Sequence, residues 1–267
     1  MASKHYMIRG GREGSDRLKV LDRVTWPTSE PFLRKAGLCE GMRCLDAGCG
    51  NGETTLRLLS ILGPSGAVTG LDFDAEVIGI AQAAAQKTAR NAHFDVWDIQ
   101  SDPLPKTGAY DFAYARFLLS HLTDPQRAIQ TLLQALRPGG VLAIEDVDFR
   151  GHFSYPACRA FDRYVELYEA TGRRRGTDPL IGPRLHGMLV DAGLKEVGLN
   201  VVSPTFCDGE GKRMALLTLK NIRGSVSDAG LASKAEIAQT VDELETFTKD
   251  PRSIMSLPRL FQVWGAK

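Results

Sequence analysis

Cysteine is scarce in this chain. Cys39, Cys44, Cys49, Cys158 and Cys207 are its five thiols among 267 residues, and no two form a C-x-x-C pair. An odd, scattered set without that spacing excludes a zinc or paired-redox framework; the thiols are expected to be reduced, and no metal is indicated. Long apolar runs are missing too. No stretch reaches the roughly 18 apolar residues of a membrane span, and MASKHYMIRGGREGSDRLK carries charges throughout without an apolar h-region. A cytoplasmic protein with no membrane partner is expected. Nor does one sign of charge dominate: 33 Lys and Arg face 32 Asp and Glu. That balance argues against a broad phosphate-neutralising surface, and so against nucleic acid as a partner. Internal repeats and low-complexity tracts are absent.

What the chain does have is a hydrophobic content of 43%, enough for the full core of one large domain or of a domain with insertions. Strand-like and helix-like segments alternate. MRCLDAG is a short apolar run ending at glycine, and TTLRLLSIL carries Leu56, Leu58, Leu59 and Leu62 at helical spacing. GAVTGLD and the alanine-rich AEVIGIAQAAAQKTAR repeat the pattern. AHFDVWD, YDFAYARF and VLAIEDVDF complete five strands, with Pro138-Gly139-Gly140 expected to stop the helix before the last. Strands joined through helices imply an α/β fold with a doubly wound parallel sheet, whose ligands bind at the carboxyl ends of the strands.

CLDAGCGNGETT sits at such an end. Gly48, Gly50 and Gly52 allow positive φ and let backbone N–H groups approach a ligand. A tight strand-to-helix turn would also use glycines, so other positions have to decide. Asp72 ends the second strand about 20 residues on, where a carboxylate can accept from both ribose hydroxyls. The order here is G-x-G-x-G rather than the G-x-G-x-x-G of nicotinamide sites, and Asp46 stands two residues ahead of Gly48. A pyrophosphate would be repelled by that acid. An ammonium and a sulfonium would both be attracted, which points to S-adenosylmethionine.

With LDAGCGNG, VTGLDFD, DVWDIQSDPLP, ARFLLSHLTDP and LRPGGVLAIEDVD in order, the chain resembles the class I S-adenosylmethionine-dependent methyltransferases, most closely the small-molecule enzymes similar to those of ubiquinone and menaquinone biosynthesis. The resemblance covers about residues 40–150. It implies a Rossmann-like seven-stranded doubly wound sheet whose last strand is antiparallel, with a helical cap from insertions. It also implies a cofactor set: Asp46 organising the loop, Gly48 and Gly50 against the methionine moiety, Asp72 with Phe73 at the ribose, Asp98 and the Ile99 backbone at the adenine, and Arg116 reaching the methionine portion through its backbone. Tyr6 and Arg17 would belong to a lid, since a tyrosine followed by RL precedes the core in some relatives; a tail leading into an amphipathic helix is the plainer reading.

The organisation expected from these features is an N-terminal lid or helical segment (1–38), the cofactor-binding core (39–150), and the rest of the core with cap insertions at about 151–180 and 205–255. Candidate bases gather after the fifth strand. Period-two alternation in IEDVDF puts Glu145 on one face and Asp146 with Asp148 on the other, and His152 on the following loop is the preferred base because its unperturbed pKa lies nearest neutrality. His121 reads as a packing residue, and Arg173, Arg174 and Arg175 as a solvated helix end. The expected chemistry is in-line transfer of a methyl group to an O, N or C atom of a small metabolite or natural-product acceptor by a monomer or homodimer. Two alternatives stay open on the same scaffold: a non-methylating reaction that uses the sulfonium as a fixed charge, and cofactor binding without catalysis.

Overall fold

The computed structural model describes residues 11–88 and 91–267; Tyr6 lies outside the described residues. In chain order the strands are β1 (Arg43–Ala47), β2 (Ala67–Asp72), β3 (Ala92–Val96), β4 (Tyr110–Arg116), β5 (Leu136–Asp148), β6 (Ser154–Tyr155), β7 (Lys195–Val202), β8 (Thr205–Phe206), β9 (Ile254–Ser256) and β10 (Arg259–Ala266). The helices are α1 (Gly11–Lys35), α2 (Glu53–Leu62), α3 (Ala75–Thr88), α4 (Pro125–Ala135), α5 (Arg159–Arg174), α6 (Leu185–Asp191), α7 (Gly209–Lys212), α8 (Met214–Asp228) and α9 (Lys234–Lys249).

Among the described residues the main sheet has seven strands in the order β3-β2-β1-β4-β5-β10-β7. The four parallel pairs from β3 to β5 and the crossover helices explain one another: parallel neighbours need a connection across a face. β10 runs antiparallel to both β5 and β7, as the family resemblance implied for the last strand. Strand sequences read as near-continuous apolar runs because both faces are covered. Leu45, Ala113, Leu142 and Ile144 point to one side, under Ile129 and Leu132 of α4 and Leu185 and Leu189 of α6. Their neighbours Cys44, Phe112, Tyr114 and Ala143 point to the other, under Phe32 and Leu33 of α1 and Leu58 and Leu62 of α2. Each fully buried Leu or Phe contributes about 1.5–3 kcal/mol.

Two local expectations change. α4 ends at Ala135, ahead of Pro138-Gly139-Gly140, because Leu136 already turns to extended backbone. The glycine-rich turn instead falls inside the start of β5, where the register with β4 jumps from Tyr110↔Leu136 to Phe112↔Val141 and Gly139 takes φ +74°. The second difference is a small antiparallel sheet, β6-β9-β8, whose two- and three-residue strands are too short to show any periodicity. Over it, α5, α8 and α9 share an apolar layer built on Phe161, Leu167, Leu219, Ile222, Ile237 and Leu244.

Gly52 shows how tightly the turn after β1 is held. It caps α2 at φ +81°, and a Cβ there would lie 2.8 Å from the Ala81 Cβ and 2.9 Å from the Phe94 ring. Gly52→Ala is expected to cost about 2–5 kcal/mol, from left-handed strain plus overpacking. Urea unfolding reads this directly, and a loss under about 1 kcal/mol would show that the turn relaxes around the methyl group.

Candidate active site

Strand order reverses between β1 and β4, and the crevice at the carboxyl ends of such strands is where doubly wound sheets bind ligands. The loops after β1, β2, β4 and β5 converge there on a cleft of about 1050 Å³, its mouth included. That is room for a nucleoside-sized group and a small second molecule.

One end of the cleft is acidic. Asp46, 2% exposed, accepts from Thr55 Oγ1 at 2.6 Å. Burial pushes its pKa up to about 6, against the pull of the Thr55 hydroxyl and the Arg116 charge. Gly48 has φ +73°, and a Cβ there would press on Leu118 at 3.0 Å. Gly50 donates its N–H to Asp72 Oδ2 at 2.9 Å, and Asp74 N–H donates to Oδ1 at 3.0 Å. The carboxylate at the end of β2 therefore shapes the glycine loop as well as facing the cleft, and burial raises its pKa. An adjoining recess is lined by Asp72, Phe73, Trp97, Asp98, Ile99 and Leu118. Thus the ends of β2 and β3 bring four of the sequence-derived cofactor positions, Asp72, Phe73, Asp98 and Ile99, into one wall.

Arg116 also lines the cleft, and its guanidinium is turned toward α1. It donates to Asp22 Oδ1 at 2.8 Å, to Thr25 Oγ1 at 3.0 Å and to Thr54 Oγ1, while Arg57 Nε meets Asp22 Oδ2 at 2.5 Å. Asp22, Thr25 and Thr54 were missed in the sequence, since nothing local to α1 announces a partner 94 residues away. The next residue, Phe117, sits at φ 52° where the two recesses meet. Left-handed backbone at a bulky residue is strained by about 1–3 kcal/mol and persists only where packing over-determines it.

The other end is aromatic. Phe149 stacks on Tyr168 of α5 with centroids 3.7 Å apart and planes at 4°. His152 packs edge-on against Phe149, Phe161 and Tyr164. Its Nδ1 lies 3.1 Å from the Phe149 carbonyl, which can only accept, so the proton is assigned to Nδ1 and the Nε2 lone pair is free. Burial pushes the His152 pKa down to about 3 and that of His121 to about 4. Arg17 of α1 reaches this end, with Nε donating to Thr218 Oγ1 of α8 at 3.1 Å.

Glu145 and Asp148 are not among the residues lining the cleft. Glu145 is wholly buried in the core, accepting from Ser29 Oγ at 2.7 Å, Tyr114 OH at 2.8 Å and Gln262 Nε2 at 3.0 Å. Asp148 caps the turn that follows it through the Arg150 N–H and pairs with Arg259 at 2.6 Å. Strand alternation separated the two acids correctly, yet the carboxylates on both faces are already engaged in protein contacts.

The methyltransferase-domain family matches residues 38–171, half of the chain. The chain is a class I S-adenosylmethionine-dependent methyltransferase by family. It is 32% identical to trans-aconitate 2-methyltransferase of Deinococcus radiodurans over 166 residues, 61% of each protein. A trans-aconitate 2-methyltransferase of Variovorax paradoxus is 27% identical over 254 residues, 91% of this chain and 93% of that one. Among solved structures, a SAM-dependent methyltransferase from Aquifex aeolicus superposes with a TM-score of 0.50 at 25% identity, covering 65% of this chain and 81% of that one. The chain thus spans about three fifths of the length of the Deinococcus relative.

The cofactor of this methyltransferase family is S-adenosylmethionine, and the acidic end of the cleft fits it. Asp46 is a buried carboxylate without an ion-pair partner within 4 Å among the described residues, and the Gly48 cradle would be filled by a Cβ. In addition, no helix among the described residues is long and apolar enough to cross a membrane.

An Asp46 carboxylate facing the cofactor's positive charge is expected to make cofactor affinity depend on pH. Its folded pKa of about 6 exceeds the usual unfolded value of about 3.9, so the ionised group costs the ligand-free protein stability progressively as pH rises from about 4 to 6. A bound cation favours the ionised form and lowers that pKa in the complex. Below about pH 6 a proton must be displaced on binding, and Kd is expected to rise about tenfold per pH unit. Calorimetry between pH 5 and 7.5 measures this, and a flat Kd would mean that Asp46 does not face the cofactor's charge.

Proposed function

We propose that this protein transfers the methyl group of S-adenosylmethionine to an O, N or C atom of a small-molecule acceptor by in-line displacement. The observation that carries the reading is one cleft with two chemically distinct ends, acidic at Asp46 and Asp72 and aromatic at Phe149 and Tyr168. The long alignment with a relative named for a small acid adds support.

In this reading Asp46 attracts the cofactor's ammonium, and the backbone at Gly48, Gly50 and Arg116 follows its methionine portion. Asp72 and Phe73 take the ribose, with Asp98 and Ile99 at the adenine. Residues 39–150 form the cofactor half, residues 1–38 an N-terminal lid or helical segment to which Tyr6 and Arg17 belong, and residues 151–180 and 205–255 the cap that excludes water. The sulfonium supplies the leaving group, so the protein mainly aligns nucleophile, methyl and sulfur, an effect that reaches about 7–11 kcal/mol in favourable cases. His152 offers Nε2 as a hydrogen-bond acceptor that positions the substrate; with a pKa near 3 it is too weak a base for efficient proton abstraction at neutral pH.

The test is incubation with methyl-deuterated S-adenosylmethionine and a panel of small acids, phenols, indoles and amines, read by mass spectrometry. A labelled product establishes the transfer. Tight cofactor binding with no label across all classes would favour a non-methylating reaction on the same scaffold.

A further inference from the structure

Resting on the methyltransferase reading, we propose that the acceptor is a carboxylic acid on a flat, apolar skeleton, that Arg17 binds its carboxylate, and that the product is a methyl ester.

Charge is divided along the cleft. Asp22, Asp46 and Asp72 belong to the end that suits a doubly positive cofactor, whereas Arg17 stands at the aromatic end beside Tyr164 and Thr218. Among the described residues no carboxylate lies within ion-pair distance of Arg17. Thr218 occupies only Nε, which leaves both terminal nitrogens of the guanidinium to offer a carboxylate. The other guanidinium lining the cleft near the cofactor loop, Arg116, is already saturated by Asp22, Thr25 and Thr54. The wall next to Arg17 is formed by Phe149, His152, Tyr164 and Tyr168, which suits a planar unsaturated body.

The chemistry agrees with that geometry. Among the described residues lining this end, no side chain is a base poised near neutrality: burial holds His121 and His152 neutral and weakly basic, and pushes the Tyr164 hydroxyl up. Glu145 and Asp148 face elsewhere. A phenol or ammonium acceptor would have to lose a proton, and none of the described side chains lining this end is suited to take it. A carboxylate is already ionised at neutral pH. One of its oxygens attacks the methyl carbon, the carbon–sulfur bond breaks, and its electron pair returns to sulfur. The anion and the sulfonium become a neutral ester and a neutral thioether, and no proton is released.

The experiment compares cinnamate and benzoate with their primary amides and with phenol, each tested for label from methyl-deuterated S-adenosylmethionine and for binding to the protein–S-adenosylhomocysteine complex. Label on the acids as methyl esters, with none on the amides, is expected. Arg17→Met should raise the acceptor KM about 10–100-fold, the loss of a charge-assisted hydrogen bond, with cofactor Kd within twofold, and Arg17→Lys should restore part of it. If Arg17→Met does not fold, Thr218→Val, which frees the guanidinium from its support, is expected to raise the same KM several-fold. Label on phenol or an amine, or binding that ignores the carboxylate, overturns the proposal while the transferase stands. Weakened cofactor binding in Arg17→Met with an unchanged acceptor KM also overturns it, placing Arg17 over the cofactor instead. Acids that bind through Arg17 but never take label would support the carboxylate site and overturn the transferase reading.

Discussion

Replacing Asp72 by alanine is expected to weaken S-adenosylmethionine binding roughly 100-fold or more. Two hydrogen bonds from ribose hydroxyls to a charged acceptor, at about 1.5 kcal/mol each, already reach that factor. The structure adds a second contribution, because the same carboxylate holds the Gly50 and Asp74 N–H groups, and its loss removes the side-chain anchor of the glycine loop at Gly50. Asp72→Asn separates the two effects, since a neutral amide oxygen still accepts from one N–H while the charge is gone. Calorimetry with the cofactor measures both variants, and unchanged affinity in Asp72→Ala would remove Asp72 from the ribose.

Asp22→Ala is expected to be the most destabilising change near the site. Asp22 is 2% exposed and neutralises Arg116, whose side chain is 8% exposed, together with Arg57. Removing one partner of a buried pair costs about 3–5 kcal/mol, because the remaining charge is left desolvated. In a chain of this size that lowers Tm by about 5–10 °C. The double variant Asp22→Ala with Arg116→Met removes both charges and should recover part of the loss, by the logic that a buried pair gains little over apolar packing. A melting temperature within a degree of the parent protein for Asp22→Ala would mean that water or Thr25 and Thr54 suffice for Arg116. The same pairs strap α1 to α2 and to the end of β4, the elements that flank the glycine loop, so cofactor affinity is expected to fall alongside stability.

The parts that were legible beforehand share a physical property: their cause lies within about one β-α unit. The glycine loop after β1, the acid ending β2 and the Asp98-Ile99 turn after β3 are written in contiguous residues, because a strand-turn-helix needs glycine at positive φ and an acid at a strand end wherever it occurs. Alternating apolar segments likewise carried the parallel sheet, since crossovers and double coverage follow from strand direction. Short strands such as β6 and β9 escaped, having too few residues to alternate.

The aromatic end of the cleft was decided at long range. Period-two alternation separated Glu145 from Asp146 but said nothing of Ser29 or Gln262, which meet Glu145 from 116 and 117 residues away and take it into the core. His152 carries an ordinary imidazole in the sequence; only Phe149, Phe161 and Tyr164 closing around it bury it and push its pKa down. Arg17 gains meaning only once α8 brings Thr218 to it. Backbone geometry is set by neighbours along the chain and can be read there. Desolvation and charge pairing are set by neighbours in space, so the chain alone determined the fold and the glycine loop, while tertiary packing decided the partners and burial of each side chain at the cleft.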